Sequence, residues 1–100
     1  MPSEARRDEV IAIRALIAHP METGMRPGAD GRTQARNIIR RFSCVYRDQE
    51  VFSAELFPSV SANPYLNFFL RVSESGVVRL VWEGDNGFRH VETRPITVSD

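Results

Sequence analysis

Three side chains in this sequence could act as a nucleophile, a base or a strong metal ligand: Cys44, His19 and His90. Nucleophilic catalysis needs a nucleophile, a base within hydrogen-bond reach and a group that orients the base. Cys44 alternates with Phe42 and Tyr46, the spacing of one strand face, where a buried thiol stays protonated and inert. His19 ends one extended segment and His90 belongs to another, and nothing in their spacing joins them. Paired carboxylates at helical spacing, a glycine-rich phosphate loop and a nucleophile elbow are all missing from the chain. One metal reading remains. His19, Met21 and Met25 offer an imidazole and two thioethers, which suit Cu(I) at a ligand site in a self-associating domain. Soft structural sites usually carry cysteine or more than one histidine, and Met21 serves equally well as loop packing. The expectation is no enzyme, no cofactor and no metal.

The elements that would position these residues follow a period of two, the strand signal. Ile11, Ile13, Ala15 and Ile17 share one side of a segment from Glu9 to His19. Phe42, Cys44 and Tyr46 alternate with Arg41, Ser43, Val45 and Arg47, and Asp48-Gln49 turns the chain into Val51–Leu56. Leu66, Phe68, Leu70 and Val72 alternate with Tyr65, Asn67, Phe69 and Arg71. A turn at Ser73–Gly76 leads to Val78, Leu80 and Trp82. Asp85-Asn86-Gly87 then opens a last strand from Phe88 to Val98. Asn-Gly is a strong hairpin signal because both residues tolerate positive φ. Only Asn37–Phe42 reads as a possible helical turn. Six short strands predict an all-β, immunoglobulin-like antiparallel sandwich over a single domain, residues 1–100.

If successive strands alternate in direction, the connections Pro20–Arg36, Phe57–Pro64 and Gly84–Gly87 gather at one end. Long loops at one end of a sandwich are a common way to build a binding site. The same alternation turns Tyr65, Phe69, Val77, Val81 and Val45 outward when their neighbours face the core. Several apolar residues on one sheet face predict a surface that another polypeptide covers.

Composition narrows the class of partner. Thirteen arginines balance thirteen acidic residues, with no lysine, so the chain lacks the net basic surface of a nucleic-acid binder. The arginines are scattered, which fits codon usage better than an arginine-rich recognition tract. No apolar run approaches the ~20 residues of a membrane span. One cysteine excludes an internal disulfide and by itself leans towards a reducing compartment. The first apolar residue after the charged start is Val10, and no signal-peptide pattern precedes it.

The segments His19-Pro20-Met21-Glu22-Thr23-Gly24, Asn37-Ile38-Ile39-Arg40-Arg41-Phe42-Ser43-Cys44 and Ser61-Ala62-Asn63-Pro64-Tyr65 resemble the SoxZ family. Glu74-Ser75-Gly76, Trp82 and Asp85-Asn86-Gly87 extend the likeness in the same order, from Pro2 to Val98. The resemblance implies an immunoglobulin-like Z subunit that forms a heterodimer with SoxY in bacterial thiosulfate oxidation. SoxY holds the sulfur intermediate on a cysteine in a Gly-Gly-Cys-Gly-Gly arm, and the complex visits SoxXA, SoxB and SoxCD. This chain ends Ile96-Thr97-Val98-Ser99-Asp100, with neither cysteine nor glycine arm, so it is not the thiol carrier. The family also implies a periplasmic location reached by export with the Y subunit, which replaces the reducing-compartment reading of Cys44. The expected partner contacts are His19, Pro20, Met21, Glu22, Thr23, Gly24, Ser61, Ala62, Asn63, Pro64, Tyr65 and Phe69. Without that partner, the same apolar face predicts a homodimer. The sequence departs from the family at its start, where a short strand usually precedes the proline matching Pro2, and an edge strand is in question.

Overall fold

β-Branched and aromatic residues at alternate positions build a computed structural model that is nearly all strand, describing residues 1–24, 35–57, 60 and 62–100. Met25 and Ser61 lie outside the described residues. Among the described residues seven strands run in chain order: β1 (Glu4–Arg6), β2 (Val10–Leu16), β3 (Ile39–Tyr46), β4 (Gln49–Glu55), β5 (Tyr65–Arg71), β6 (Gly76–Gly84) and β7 (Arg89–Ser99). One sheet has the order β1-β7-β6-β3-β4, and a second contains β2 and β5. Every pairing is antiparallel except β1 against the end of β7. This is the expected all-β sandwich, divided five strands to two.

The core lies between the sheets. Ile11, Ile13 and Ala15 of β2, with Phe68 and Leu70 of β5, face Phe42, Cys44, Val78, Leu80, Trp82 and Ile96. Phe42 is fully buried, with its ring 5.8 Å from Phe68 of the opposite sheet and 5.2 Å from Trp82 of its own. Phe52 stacks on Phe68 at 4.2 Å, which ties β4 to the smaller sheet. Cys44 sits in this interior as expected, and burial pushes its thiol up to about 11.

Turns fix the registers. Arg47 and Asp48 both have positive φ, so a two-residue loop joins β3 to β4 with the twist a hairpin needs. Asn86 and Gly87, at φ 60° and 72°, close β6 onto β7 through a short 3₁₀ turn. At the other end, the Tyr46 hydroxyl accepts from the amides of Ser73 and Glu74 and donates to the Glu74 carbonyl, pinning the β5–β6 turn.

Several readings need correction. Asn37–Phe42 starts no helix: Asn37 bridges Glu22, and Ile39 already belongs to β3. Ile38 and Ile39 are both buried, because a register shift between Ile39 and Arg41 breaks the alternation there. Val81 points to the outer face yet is buried, since its register neighbours Ser43 and Val91 flank it on a central strand. Val77, nearer the strand's start, is exposed, and Val45 is half-buried. After Pro2 the chain carries a further edge strand, β1, too short for a periodic signal.

Candidate functional site

The registers bring three connections to one end of the sandwich. Leu16 pairs with Tyr65, Arg41 with Glu55, and Ile39 with Gly84, so the segments after β2, after β4 and after β6 meet there. Alternating strand direction places them together, as the sequence suggested.

His19 organises this end. It is 5% exposed, and its Nδ1 accepts the Met21 amide at 3.0 Å. Its own amide donates to Asn63 Oδ1 at 2.9 Å, and its carbonyl accepts the Asn63 amide at 2.7 Å. The Phe88 ring meets the imidazole edge-on at 4.9 Å. Met21 is equally buried, and its sulfur accepts the Ile39 amide at 3.3 Å. His19 Nδ1 and the Met21 sulfur are therefore engaged within the protein. Among the described residues no three of His, Cys, Asp or Glu cluster as metal ligands. His19 and Met21 hold the loops in place.

Burial lowers the His19 pKa below its ordinary 6.5, although the charge of Asp85 opposes the shift. The unfolded chain then binds the proton more tightly than the folded one. Stability is complete above the ordinary imidazole value and falls as pH drops below it. We expect the denaturant midpoint to decline between about pH 7 and pH 5, and His19→Gln to flatten that slope. Asp85 and Glu92 are both held below the ordinary carboxylate range, so their contributions fade only at lower pH.

Asp85 is the second organiser, and it was not legible in the sequence. Its carboxylate accepts Arg36 Nε at 2.8 Å, Arg36 Nη2 at 3.0 Å and the Ile38 amide at 3.2 Å, while Arg40 Nε lies 3.2 Å away. The bidentate Arg36 bond is the main cause of its lowered pKa. Asp85 and its arginine partners are 45 and 49 residues apart, and no local pattern marks the pairing.

The remaining sequence-derived residues divide by exposure. Pro20, Ala62 and Asn63 are exposed, Glu22, Thr23 and Gly24 half-buried, and Pro64 buried. Tyr65 and Phe69 stand on the outer face of the smaller sheet at 56% and 70% exposure. The register sets Tyr65 opposite Leu16 and Phe69 opposite Ala12, while Val10 lies across from Arg71. Leu16 and Val10, at 66% and 50% exposure, complete an apolar group that sequence reading found only in part. Arg14 and Arg71 are the charges on this face, and neither has a carboxylate partner among the described residues. This arrangement can bind a polypeptide.

Comparison with known proteins agrees with this geometry. The family model described as Sulphur oxidation protein SoxZ matches residues 1–95. No curated protein matches the chain. Among solved structures, it is similar to the superoxide reductase (neelaredoxin) of Ignicoccus hospitalis, with TM-score 0.72, 20% identity, and coverage of 98% of this chain and 76% of that one. Two point variants of that protein match with TM-scores of 0.73 and 0.75 at 20% and 19% identity, each over 99% of this chain and 76% of theirs. At that identity the likeness shows a shared fold.

Proposed function

Because this chain belongs to the family of the sulphur oxidation protein SoxZ, we propose that it is the non-catalytic subunit of a SoxYZ-type carrier, binding and presenting the thiol-bearing Y subunit. Membership makes it a component of the Sox sulfur-oxidation system. The observation that carries the finer reading is the outer face of β2 and β5, where Val10, Leu16, Tyr65 and Phe69 leave apolar surface in water. Isolated exposed apolar residues are ordinary, whereas four on two paired strands suit a protein contact. The buried, protonated Cys44 fits a subunit that supports sulfur transfer without carrying sulfur. On this reading the heterodimer works in the periplasm, exported by its Y subunit, and meets SoxXA, SoxB and SoxCD in turn.

The test is co-expression with the SoxY-type chain and co-purification through a tag on one partner. Phe69→Asp adds a charge to an exposed position, so the fold should survive. The affinity for the Y subunit should fall by roughly tenfold or more. A complex of unchanged affinity would remove this face from the interface. Failure of the unmodified pair to associate would remove the carrier reading itself.

A further inference from the structure

Among the described residues the smaller sheet has only two strands. Two-stranded sheets are marginal in isolation, and sandwiches of this kind usually set at least three strands against the larger sheet. In β2 the odd-numbered residues bond to β5: the Ile17 amide donates to the Pro64 carbonyl, and the Val72 amide to Glu9, both on the same register. The amides and carbonyls of Val10, Ala12, Arg14 and Leu16 therefore point away from β5, along an open edge.

This edge differs from those of the larger sheet. On β7, Pro95 has no amide to offer, and the Arg94 guanidinium donates to the Thr93 carbonyl at 2.9 Å. β4 carries Glu50 and Glu55, and β1 has three residues. Such features blunt an edge against pairing. β2 has none beyond Arg14, and its outward side chains are otherwise Val10, Ala12 and Leu16.

Beside the β2 edge the sandwich is open. A cavity of about 150 Å³ runs between β2 and β7, walled by Ile13, Leu80 and Trp82 on one side and also lined by Met1 of this chain. Across it the inward positions of β7 carry a charged row, in which Glu92 accepts from Arg94 at 2.9 Å and pairs with His90 at 2.9 Å. The volume is below the roughly 300 Å³ of typical small-molecule sites and suits one side chain. Trp82 is 2% exposed, yet its indole N–H has no acceptor among the described residues, a costly omission for a buried donor.

We propose that the β2 edge receives an extended segment of the partner subunit as the third strand of the smaller sheet. One inward side chain of that segment fills the cavity over Trp82. The segment is apolar at alternate positions, to continue the Leu16 and Val10 surface, and carries a carboxylate to meet Arg14 and Arg71. A second copy of this chain fits less well, because antiparallel pairing of two β2 edges brings Arg14 near its own equivalent. The proposal rests on the reading that this chain docks a carrier subunit.

Amide hydrogen exchange on the isotope-labelled chain, alone and with the co-expressed carrier subunit, tests it. The Ala12, Arg14 and Leu16 amides should exchange fast in the free chain and at least tenfold more slowly in the complex. Ala12→Pro removes only an amide aimed off the sheet. It should leave the Trp82 emission and melting curve near those of the parent, while weakening the complex by roughly tenfold or more. A complex that forms while these amides stay fast overturns strand addition and leaves face docking intact. Protection of the same amides in the chain alone, with a dimeric mass by light scattering, assigns the edge to a second copy and also overturns it. Should Ala12→Pro fail to fold, the exchange measurement on the parent chain still decides. Absence of any complex takes down the carrier reading and this inference together.

Discussion

Replacing Phe42 by alanine is expected to destabilise the domain by about 3–5 kcal/mol, a large part of the roughly 5–15 kcal/mol that holds a domain folded. Phe42 has no exposed surface and makes ring contacts with Phe52 and Trp82 of its own sheet and Phe68 of the other. Truncation to Cβ leaves a void where the sheets face each other. The neighbours cannot collapse into it easily, because each is fixed on a paired strand. For 100 residues such a loss lowers the melting temperature by on the order of 15 °C or more. Phe42→Leu keeps most of the volume and should cost clearly less. If Phe42→Ala melted within a few degrees of the parent, the face-to-face core described above would be wrong.

How far the sequence revealed this arrangement depended on how local each cause was. Asn86-Gly87 announced its hairpin because the turn needs positive φ and those residue types supply it. Arg47-Asp48 makes an equivalent turn with less suitable residues, and the sequence placed it one position late, at Asp48-Gln49. The alternation of β2 and β5 was legible since each buries one face and largely solvates the other. β1 was not, because three residues carry no period and its pairing with Thr97–Ser99 is set at the far end of the chain. Val81 misled for the opposite reason: its phase was correct, and its burial came from Ser43 and Val91, which only the register supplies.

The candidate surface divides along the same line. Tyr65 and Phe69 followed from strand phase alone, while Leu16 joined them only when pairing set it opposite Tyr65. His19 and Met21, expected as partner contacts, are buried and hold the loops through Nδ1 and the thioether sulfur. The seam beside Trp82 was invisible beforehand. It arises because β7 extends its charged positions past the cover of a two-stranded sheet.

The second large effect is expected at Gly84, where the loop end meets the core. Gly84 is buried at the end of β6 with an extended backbone, φ −153° and ψ −166°, which most residues could adopt. The constraint is space. A Cβ built there would lie 2.5 Å from the Ile38 carbonyl oxygen and 2.9 Å from Ile39 Cα, both main-chain atoms that no rotamer change can move aside. Gly84→Ala must therefore push the start of β3 away from β6. That displacement strains the Asp85 amide bond to the Ile38 carbonyl and the Asp85 carboxylate bond to the Ile38 amide. It also disturbs Ile39, whose amide holds Met21. Overpacking with a weakened hydrogen bond predicts a loss of about 3 kcal/mol, read as a shift in the denaturant midpoint. The damage should spread to the surface, because His19 and its neighbours depend on the same start of β3. Exchange of the Met21, Ile38 and Ile39 amides should quicken in Gly84→Ala well before global unfolding, while the Ser73 and Glu74 amides, pinned by Tyr46 at the opposite end, keep their protection. Equal acceleration at both ends would mean that the loop end is no separate unit. Gly87→Ala supplies the contrast, since a Cβ there meets nothing within 4 Å and only its positive φ of 72° is penalised. Its cost should stay near 1 kcal/mol, so a larger loss at Gly87 than at Gly84 would overturn the claim that close backbone approach governs this end of the sandwich.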